Sequence, residues 1–369
     1  MKRVGNNDIT SKQFCYILIG TMLGIGALRL PSALAATSGQ DAWISAALGG
    51  IYPLLLCFLG MYFILHFPDK NILELSREYL GNFIGTILNM AFGAGFLLQV
   101  TTVTQGLTNL FVVSIMNFMA AYKLLSAILF TGAYAAYRDL RILGRINELV
   151  YILTIVLSGI LIFGFKGGDY RNLLPVLGRG FADIFKGTME SLSSYMGIEI
   201  LFLIYPCVTE RKKAIPAAFK AVFVMILIYV WFTFISIYFI GTDLLPRYIW
   251  PVPVVAKAVQ IPVISNFRFL FLVLWSIIVF KTIANSFYGT ALIFQDVYRK
   301  VPKKIIYLLI FLAALVISYQ YKDEVFRRAF LKQATPPTLI FNISYILLII
   351  TITYLKRGKG NENKGKQPC

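Results

Sequence analysis

The chain has few charged residues, one histidine and four cysteines, and these shortages exclude several classes of protein. Charged residues make up 14% of the 369 residues and hydrophobic residues 58%, a balance that excludes a soluble globular chain. The single histidine, His66, leaves no second histidine for an acid–base pair. The cysteines are scattered and form no CxxC pair, so they indicate neither a disulfide framework nor a metal site.

Motifs of enzymes and nucleic-acid binders are also missing. The sequence contains no HExxH, GxSxG or GxxxxGK[ST] pattern, so we expect neither enzyme activity nor a cofactor. The excess of 35 Lys and Arg over 17 Asp and Glu would suggest nucleic acid in a soluble chain. Here these charges lie in loops between apolar runs, which is typical of membrane topology. We therefore expect no nucleic-acid partner.

Long apolar runs predict an all-α integral membrane protein with ten transmembrane helices. A helix needs roughly 20 apolar residues to cross a bilayer. The stretch 79–122 has no charge for 44 residues, and we interpret it as one tilted helix and a turn because its polar side chains suit a bundle interior. The predicted spans are 13–36, 42–65, 82–110, 122–138, 147–165, 187–207, 216–240, 268–296, 304–321 and 338–355.

The positions of the positive charges support an even number of spans. With both termini in the cytoplasm, the inner segments hold 21 of the 35 Lys and Arg residues and the outer segments hold 12. This predicts a cytoplasmic N-terminus (1–12), two repeats (about 13–165 and about 187–355) and a basic, disordered tail (356–369). The lysines of the tail would lie near anionic membrane lipid.

The first span contains residues that form a poor helix. Gly24 and Gly26 lower helix propensity, and Pro31 has no N–H to donate to the preceding turn. We predict that the helix breaks here, because irregular backbone survives in a membrane only where it is buried in protein or lines a cavity. The candidate substrate-binding residues of this span are Gly24, Gly26, Ala27, Leu28 and Arg29.

The sixth span contains a second candidate break. Glu199 lies in the middle of an apolar run, two residues after Gly197, and a buried acid needs a partner or a proton. The candidate substrate-binding residues of this span are Tyr195, Met196, Gly197, Ile198 and Glu199.

Breaks in the first and sixth of ten spans are what a five-plus-five inverted repeat predicts, with the substrate between them near the midplane. The N–H and C=O groups of an unwound helix suit the carboxylate and ammonium of an amino acid. The alternative is that each break is an ordinary glycine packing kink. Gln99 and Thr102 on the third span are further candidates for the cavity lining, with ordinary interhelical hydrogen bonding as the alternative.

Two charges lie inside predicted spans. Arg29 would clamp a substrate carboxylate or pair with Glu199, or would instead snorkel to the interface. Lys281, near Asn285 in the eighth span, would take the place of a coupling cation or carry a proton, with structural pairing as the alternative.

Several motifs, spread from about residue 10 to 355, are shared with a known family. The most specific is GQDAW at 39–43, which follows GIGALRLP at 24–31 after seven intervening residues. The others are GRINE at 144–148, NLLPV at 172–176, YMGIE at 195–199, and Trp275 with Phe280 and Lys281. The chain resembles the B-type (GerAB-type) subunit of bacterial spore germinant receptors, a branch of the amino acid-polyamine-organocation superfamily.

The resemblance implies a LeuT-like fold of ten helices in the inner membrane of the spore. It also implies a complex with an A-type membrane subunit and a C-type lipoprotein subunit, in which the B-type subunit recognises small germinants such as amino acids. Arg29 departs from the small polar residue expected at its position. A bulky cation there would shrink the pocket or favour an acidic or differently shaped ligand.

We therefore expect a germinant-recognition subunit whose small-molecule ligand is an amino acid. The first alternative is a proton- or cation-coupled amino acid permease that uses the same pocket with alternating access. The second is a structural membrane anchor for partner subunits.

Overall fold

The structure is a computed structural model that describes residues 8–258 and 267–364, with side chains up to residue 356. In this part of the chain the secondary structure is helical, apart from an isolated bridge between Ile9 and Val208. The α-helices, in chain order, are α1 (Ser11–Met22), α2 (Gly26–Ser38), α3 (Ala42–Gly49), α4 (Ile51–His66), α5 (Ile72–Leu80), α6 (Asn82–Ser114), α7 (Ala121–Tyr137), α8 (Leu140–Ile160), α9 (Phe181–Leu192), α10 (Leu201–Ile204), α11 (Arg211–Ile240), α12 (Val252–Val255), α13 (Phe267–Val297), α14 (Lys303–Gln320) and α15 (Glu324–Lys364).

These helices form the ten predicted spans, which confirms the all-α membrane class. Within the described residues, seven helical stretches are long and apolar enough to cross a bilayer in one piece. The remaining three spans are α7, with 17 residues, and the two broken spans. The first span consists of α1 and α2, and the sixth consists of α9, α10 and the short 3-10 turns around α10.

The tenth span begins earlier than the sequence predicts. The predicted span starts at residue 338, after the pair Pro336 and Pro337, whereas α15 begins at Glu324 and contains both prolines. Because a proline has no N–H, the carbonyls of Lys332 and Gln333 lose their usual helical donors. The segment that the sequence placed in an outer loop is therefore the first part of a helix.

Some of the predicted segments are only partly covered by the described residues. The predicted outer segment between the seventh and eighth spans, residues 241–267, includes residues 259–266, which lie outside the part of the chain that the structure describes. Residues 1–7 and 365–369 also lie outside it. The backbone of α15 continues to Lys364, within the segment predicted as a disordered tail. The division into two repeats remains a prediction.

Hydroxyl groups and glycines join α9, the first helix of the sixth span, to α3 and to the end of α2. Ser38 and Ser45 share a hydrogen bond of 2.8 Å, and Ser45 donates to the carbonyl of Ile184 over 2.9 Å. A Cβ on Gly187 would lie 1.9 Å from the Ser38 hydroxyl oxygen. Small residues thus allow close backbone approach, as in other membrane helix pairs.

At the end of the bundle where α1 begins, the chain before α1 is fixed to the end of the sixth span. Ile9 donates to the carbonyl of Cys207 (2.9 Å) and accepts from the amide of Thr209 (3.0 Å). Hydrogen bonds from Lys213 and Ser11 lower the pKa of Glu210 to about 2, so this carboxylate stays ionised at neutral pH. We call this contact, residues 8–11 against 207–210, the N-terminal clasp.

We predict that Gly187→Leu destabilises the bundle by about 1–3 kcal/mol, because the larger side chain forces α3 and α9 apart. The measurement is the melting temperature of the purified protein in detergent. Gly159→Leu on α8 is the matched control, since nothing lies within 4 Å of a Cβ there. Equal melting temperatures for the two variants would contradict the close packing of α3 and α9.

Candidate functional site

The first span breaks between α1 and α2, at residues 23–25, as predicted. Leu23 adopts an extended conformation, and α2 restarts at Gly26. The carbonyls at the end of α1 lose their helical donors, and α13 replaces some of them. The hydroxyl of Thr282 donates to the carbonyls of Gly20 (2.9 Å) and Leu23 (2.6 Å).

The sixth span breaks at Met196 and Gly197. Gly197 has φ of +108°, in the region that favours glycine. A Cβ at this position would lie 2.6 Å from the carbonyl oxygen of Thr21 on α1. Glycine is therefore required both by the backbone conformation and by the close approach of the two broken spans.

Glu199 fixes the turn after the second break. Its carboxylate accepts from the amide of Gly197 (2.6 Å), from the side-chain amide of Asn342 (2.9 Å) and from the hydroxyl of Tyr52. The side chain is 3% exposed. Among the described residues Arg29 forms no ion pair with it, so three hydrogen-bond donors compensate this buried acid.

Two side chains connect the breaks to each other. The amide nitrogen of Gln99 donates to the carbonyls of Thr21 (2.9 Å) and Met196 (3.2 Å). The hydroxyl of Tyr229 on α11 lies within hydrogen-bond distance of the carbonyls of Met22 (2.9 Å) and Ser194 (2.7 Å). Each side chain therefore contacts the carbonyls of both broken spans. Sequence reasoning identified Gln99 but missed Tyr229, because a tyrosine within a long apolar helix carries no distinctive signal.

Lys281 and Asn285 lie behind the first break, against α1. Lys281 is 1% exposed, and its ammonium is 3.4 Å from the carbonyl oxygen of Gly20. No ion pair of Lys281 with a carboxylate occurs within the described part of the chain. Asn285 exchanges hydrogen bonds of 2.8 and 3.0 Å with Asn147 and donates to Ile17. Both residues thus contact α1 rather than the cavity described next.

A cavity of about 640 Å³ lies beside the two breaks, within the size range of small-molecule sites. The walls come from α2, α6, α9 and α15, with Tyr52 and Thr282 among the other lining residues. Six of the predicted site residues line it, namely Gly24, Gly26, Arg29, Gln99, Thr102 and Met196.

The other candidates lie outside this cavity. Gly197 and Glu199 line an adjacent void of about 10 Å³, which is about the volume of one water probe. Ala27, Leu28, Tyr195 and Ile198 are buried in the core.

Sequence reasoning missed the charged part of the cavity. Its candidate residues did not include Glu190, and its predicted spans left the basic residues between 322 and 337 in a loop. In the structure, the lining residues that it missed include Glu190, Arg327, Arg328, Lys332 and Thr335. The excess of cations in that segment was visible in the sequence, but its contact with Arg29 depends on how α15 packs.

A ten-helix bundle whose two broken spans meet beside one cavity defines a membrane protein of the LeuT-like class. The structure of MhsT in complex with L-phenylalanine matches with a TM-score of 0.65 and 11% identity, covering 85% of this chain and 79% of that one. A Na⁺-coupled sialic acid symporter matches with a TM-score of 0.65 and 12% identity, covering 93% and 80%. At these identities the likeness concerns the fold.

The chain belongs to the family described as spore germination protein, whose family model matches residues 8–326. Spore germination protein GerQB of Bacillus cereus is 24% identical over 314 residues, covering 83% of this chain and 86% of the relative. Spore germination protein YndE of Bacillus subtilis (strain 168) is 24% identical over 360 residues, covering 96% and 98%. These matches confirm the resemblance drawn from the motifs, and the family is not an enzyme family.

We predict that Glu199→Gln lowers the melting temperature, because an amide cannot accept from all three donors that surround this side chain. One buried donor left unpaired costs about 1–3 kcal/mol. Glu78→Gln is the control, since Glu78 forms an exposed ion pair with Lys70, and such pairs contribute little. Equal thermal stability of the two variants would show that Glu199 does not hold the break.

Proposed function

We propose that this protein recognises a small germinant, an amino acid, in the cavity beside the two breaks, and that occupancy triggers spore germination. The observation that carries this proposal is the meeting of two broken spans at a cavity in a member of the spore germination protein family. The fold likeness to a protein solved with L-phenylalanine gives further support.

The start of α2 supplies the groups that would bind the carboxylate of the ligand. The amides of Gly24, Ile25 and Gly26 donate to no group among the described residues. These amides lie at the N-terminal end of α2, which is the positive end of its dipole, and a carboxylate is stabilised there. The carbonyls of Thr21 and Met22 each accept one hydrogen bond from a side chain, which leaves a second lone pair for an ammonium.

Occupancy would act by changing how the two broken spans sit against each other. Gln99 and Tyr229 bond carbonyls of both spans, so a relative movement of the spans must exchange these hydrogen bonds. A ligand that contacts both breaks favours the arrangement that it fits best, and partner subunits would detect the resulting shift in population. The partners that we propose are the A-type and C-type subunits of a germinant receptor in the spore inner membrane.

The orientation follows from the charge asymmetry of the loops. We propose that both termini face the spore core, and that the cavity opens towards the outer side, where α9 and α15 begin. The N-terminal clasp would then close the bundle on the core side, and the basic tail would lie near anionic lipid.

A coupled permease is the second candidate, and Lys281 favours it. A buried ammonium beside the carbonyl oxygen of Gly20 occupies the kind of position that a coupling cation would take. The sialic acid symporter of similar fold is Na⁺-coupled. In this alternative, the same cavity would serve alternating access.

We predict that one ligand in a panel of amino acids, inosine and sugars raises the melting temperature of the purified chain saturably. A ligand at 100 times its dissociation constant adds about 2.7 kcal/mol to stability. Gly26→Leu should abolish the shift by filling the cavity next to the break, whereas the lipid-facing control Gly159→Leu should retain it. The absence of any shift across the panel would contradict amino acid recognition by this chain.

A separate prediction distinguishes the permease from the sensor. If Lys281 couples transport, labelled amino acid accumulates in proteoliposomes, and Lys281→Ala abolishes the dependence on the imposed gradient while the protein still folds. Lys300→Ala, an exposed lysine after α13, is the control. Ligand binding without accumulation would support the sensor and exclude a coupling role for Lys281.

A further inference from the structure

The part of the cavity between α2, α9 and α15 carries excess positive charge. Within the described chain, the acid among the lining residues is Glu190. Three of the lining cations have carboxylate partners: Arg327 and Arg328 share Glu324 (2.5 and 3.0 Å), and Lys186 pairs with Asp183 (3.2 Å). The cations that line the cavity are Arg29, Lys186, Arg327, Arg328 and Lys332. Glu324 and Asp183 each neutralise one of these five cations, so three positive charges remain against the one lining acid, Glu190.

Arg327 is held by the protein itself. Its Nε and Nη2 donate to the carboxylate of Glu324 (2.8 and 2.5 Å), and its Nη1 donates to the carbonyl of Thr102 (3.2 Å). Gly106 on α6 leaves room for this guanidinium, since a Cβ there would lie 3.1 Å from its central carbon. All three of its nitrogens have partners, so Arg327 ties α15 to α6.

Arg328, the next residue, keeps part of its guanidinium unused. Its Nε donates to Glu324 (3.0 Å), but its Nη2 is buried and has no hydrogen-bond partner among the described residues. Thr335, two turns further along the same face of α15, also lines the cavity, and its hydroxyl is buried without a partner. Buried polar groups in proteins normally form hydrogen bonds. This wall of the cavity therefore has two donors that lack an acceptor within the described chain.

Arg29 faces the same space from α2. Its side chain makes no ion pair or hydrogen bond among the described residues. Arg328 and Arg327 repel its charge, and Glu190 and Glu324 attract it more weakly. Two guanidinium groups that repel each other across a cavity are both stabilised by an anion placed between them.

We propose that the ligand is an amino acid with an acidic side chain, whose side-chain carboxylate lies between Arg29 and Arg328. This inference rests on the proposed function, in which the start of α2 holds the α-carboxylate. Arg29 follows Gly26 by three residues, roughly 4.5 Å along the helix axis. The Arg29 side chain extends further from that backbone position, and both residues line the cavity, so one dicarboxylate molecule can contact the start of α2 and the guanidinium group together.

The charge balance favours such a ligand over a neutral amino acid. An acidic amino acid carries net charge −1 and reduces the repulsion among the lining cations. Its isosteric amide fills the same volume but carries no negative charge and has one accepting oxygen instead of two, so it compensates the guanidinium groups less well. Shape alone therefore does not discriminate between the acid and its amide, but charge does.

The test is binding of L-glutamate, L-aspartate, L-glutamine, L-asparagine and glutarate to the full chain in nanodiscs of zwitterionic phosphatidylcholine, measured by calorimetry. We expect one acidic amino acid to bind at least about 10-fold more tightly than its amide. Glutarate, which lacks the amino group, should bind more weakly than glutamate. Added phosphatidylglycerol should leave the affinity unchanged, since the anion is a free ligand rather than a lipid headgroup.

The variants test the two guanidinium groups. Arg29→Gln and Arg328→Gln should each reduce the affinity for the acidic amino acid by at least about 10-fold and remove the preference over the amide. Arg171→Gln removes the same charge from an exposed position outside the cavity lining, and it should change nothing. Because the Arg328 side chain is 24% exposed, its variant remains informative even if Arg29→Gln fails to fold.

Three outcomes would overturn the inference while leaving amino acid recognition intact. The first is tighter binding of a neutral amino acid with no effect of either substitution. The second is loss of neutral amino acid binding in Arg29→Gln, which would assign Arg29 to the α-carboxylate. The third is affinity for the acidic amino acid that persists in both variants. Competition by phosphatidylglycerol would assign the site to a lipid headgroup and also overturn it. Failure of every amino acid to bind would overturn the proposed function together with the inference.

Discussion

The structure depends on one constraint: a helix that breaks inside a membrane frees backbone groups that water cannot reach, so other groups must bond them. The hydroxyl of Thr282 lies within hydrogen-bond distance of two carbonyls at the end of α1, those of Gly20 and Leu23. Gln99 and Tyr229 bond the carbonyls that remain at both breaks. The unbroken helices α6, α11 and α13 therefore supply the side chains that donate to these carbonyls, in addition to forming part of the bundle.

This distribution of donors explains where a ligand fits. The carbonyl side of the first break is compensated by the protein, whereas the amides at the start of α2 are not. A cavity adjoins those free amides, and α15 contributes the guanidinium of Arg328 to it. The unsatisfied groups are donors and cations, so the site selects for an acceptor with negative charge. The same groups would be costly if the cavity never received such a ligand.

The two ends of the bundle differ in how firmly they are closed. The N-terminal clasp combines backbone hydrogen bonds of Ile9 with the Ser11–Glu210 contact of 2.6 Å, whereas the opposite end is open at the cavity. A protein that must release a ligand through both ends would have to break the clasp in every cycle. A sensor needs only changes in the packing around the breaks, where Gln99 and Tyr229 bond carbonyls of both broken spans.

The sequence by itself determined the membrane class, the ten spans and both breaks. Apolar length, charge position, glycine and proline act locally, so Gly24, Gly26 and Gly197 mark the breaks without knowledge of the fold. Sequence reasoning misplaced the start of α15, because Pro336 and Pro337 normally end a helix, whereas packing holds this one together. Only the tertiary structure decided which donors bond the freed carbonyls and which cations face Arg29, since those contacts join residues that are far apart in the chain.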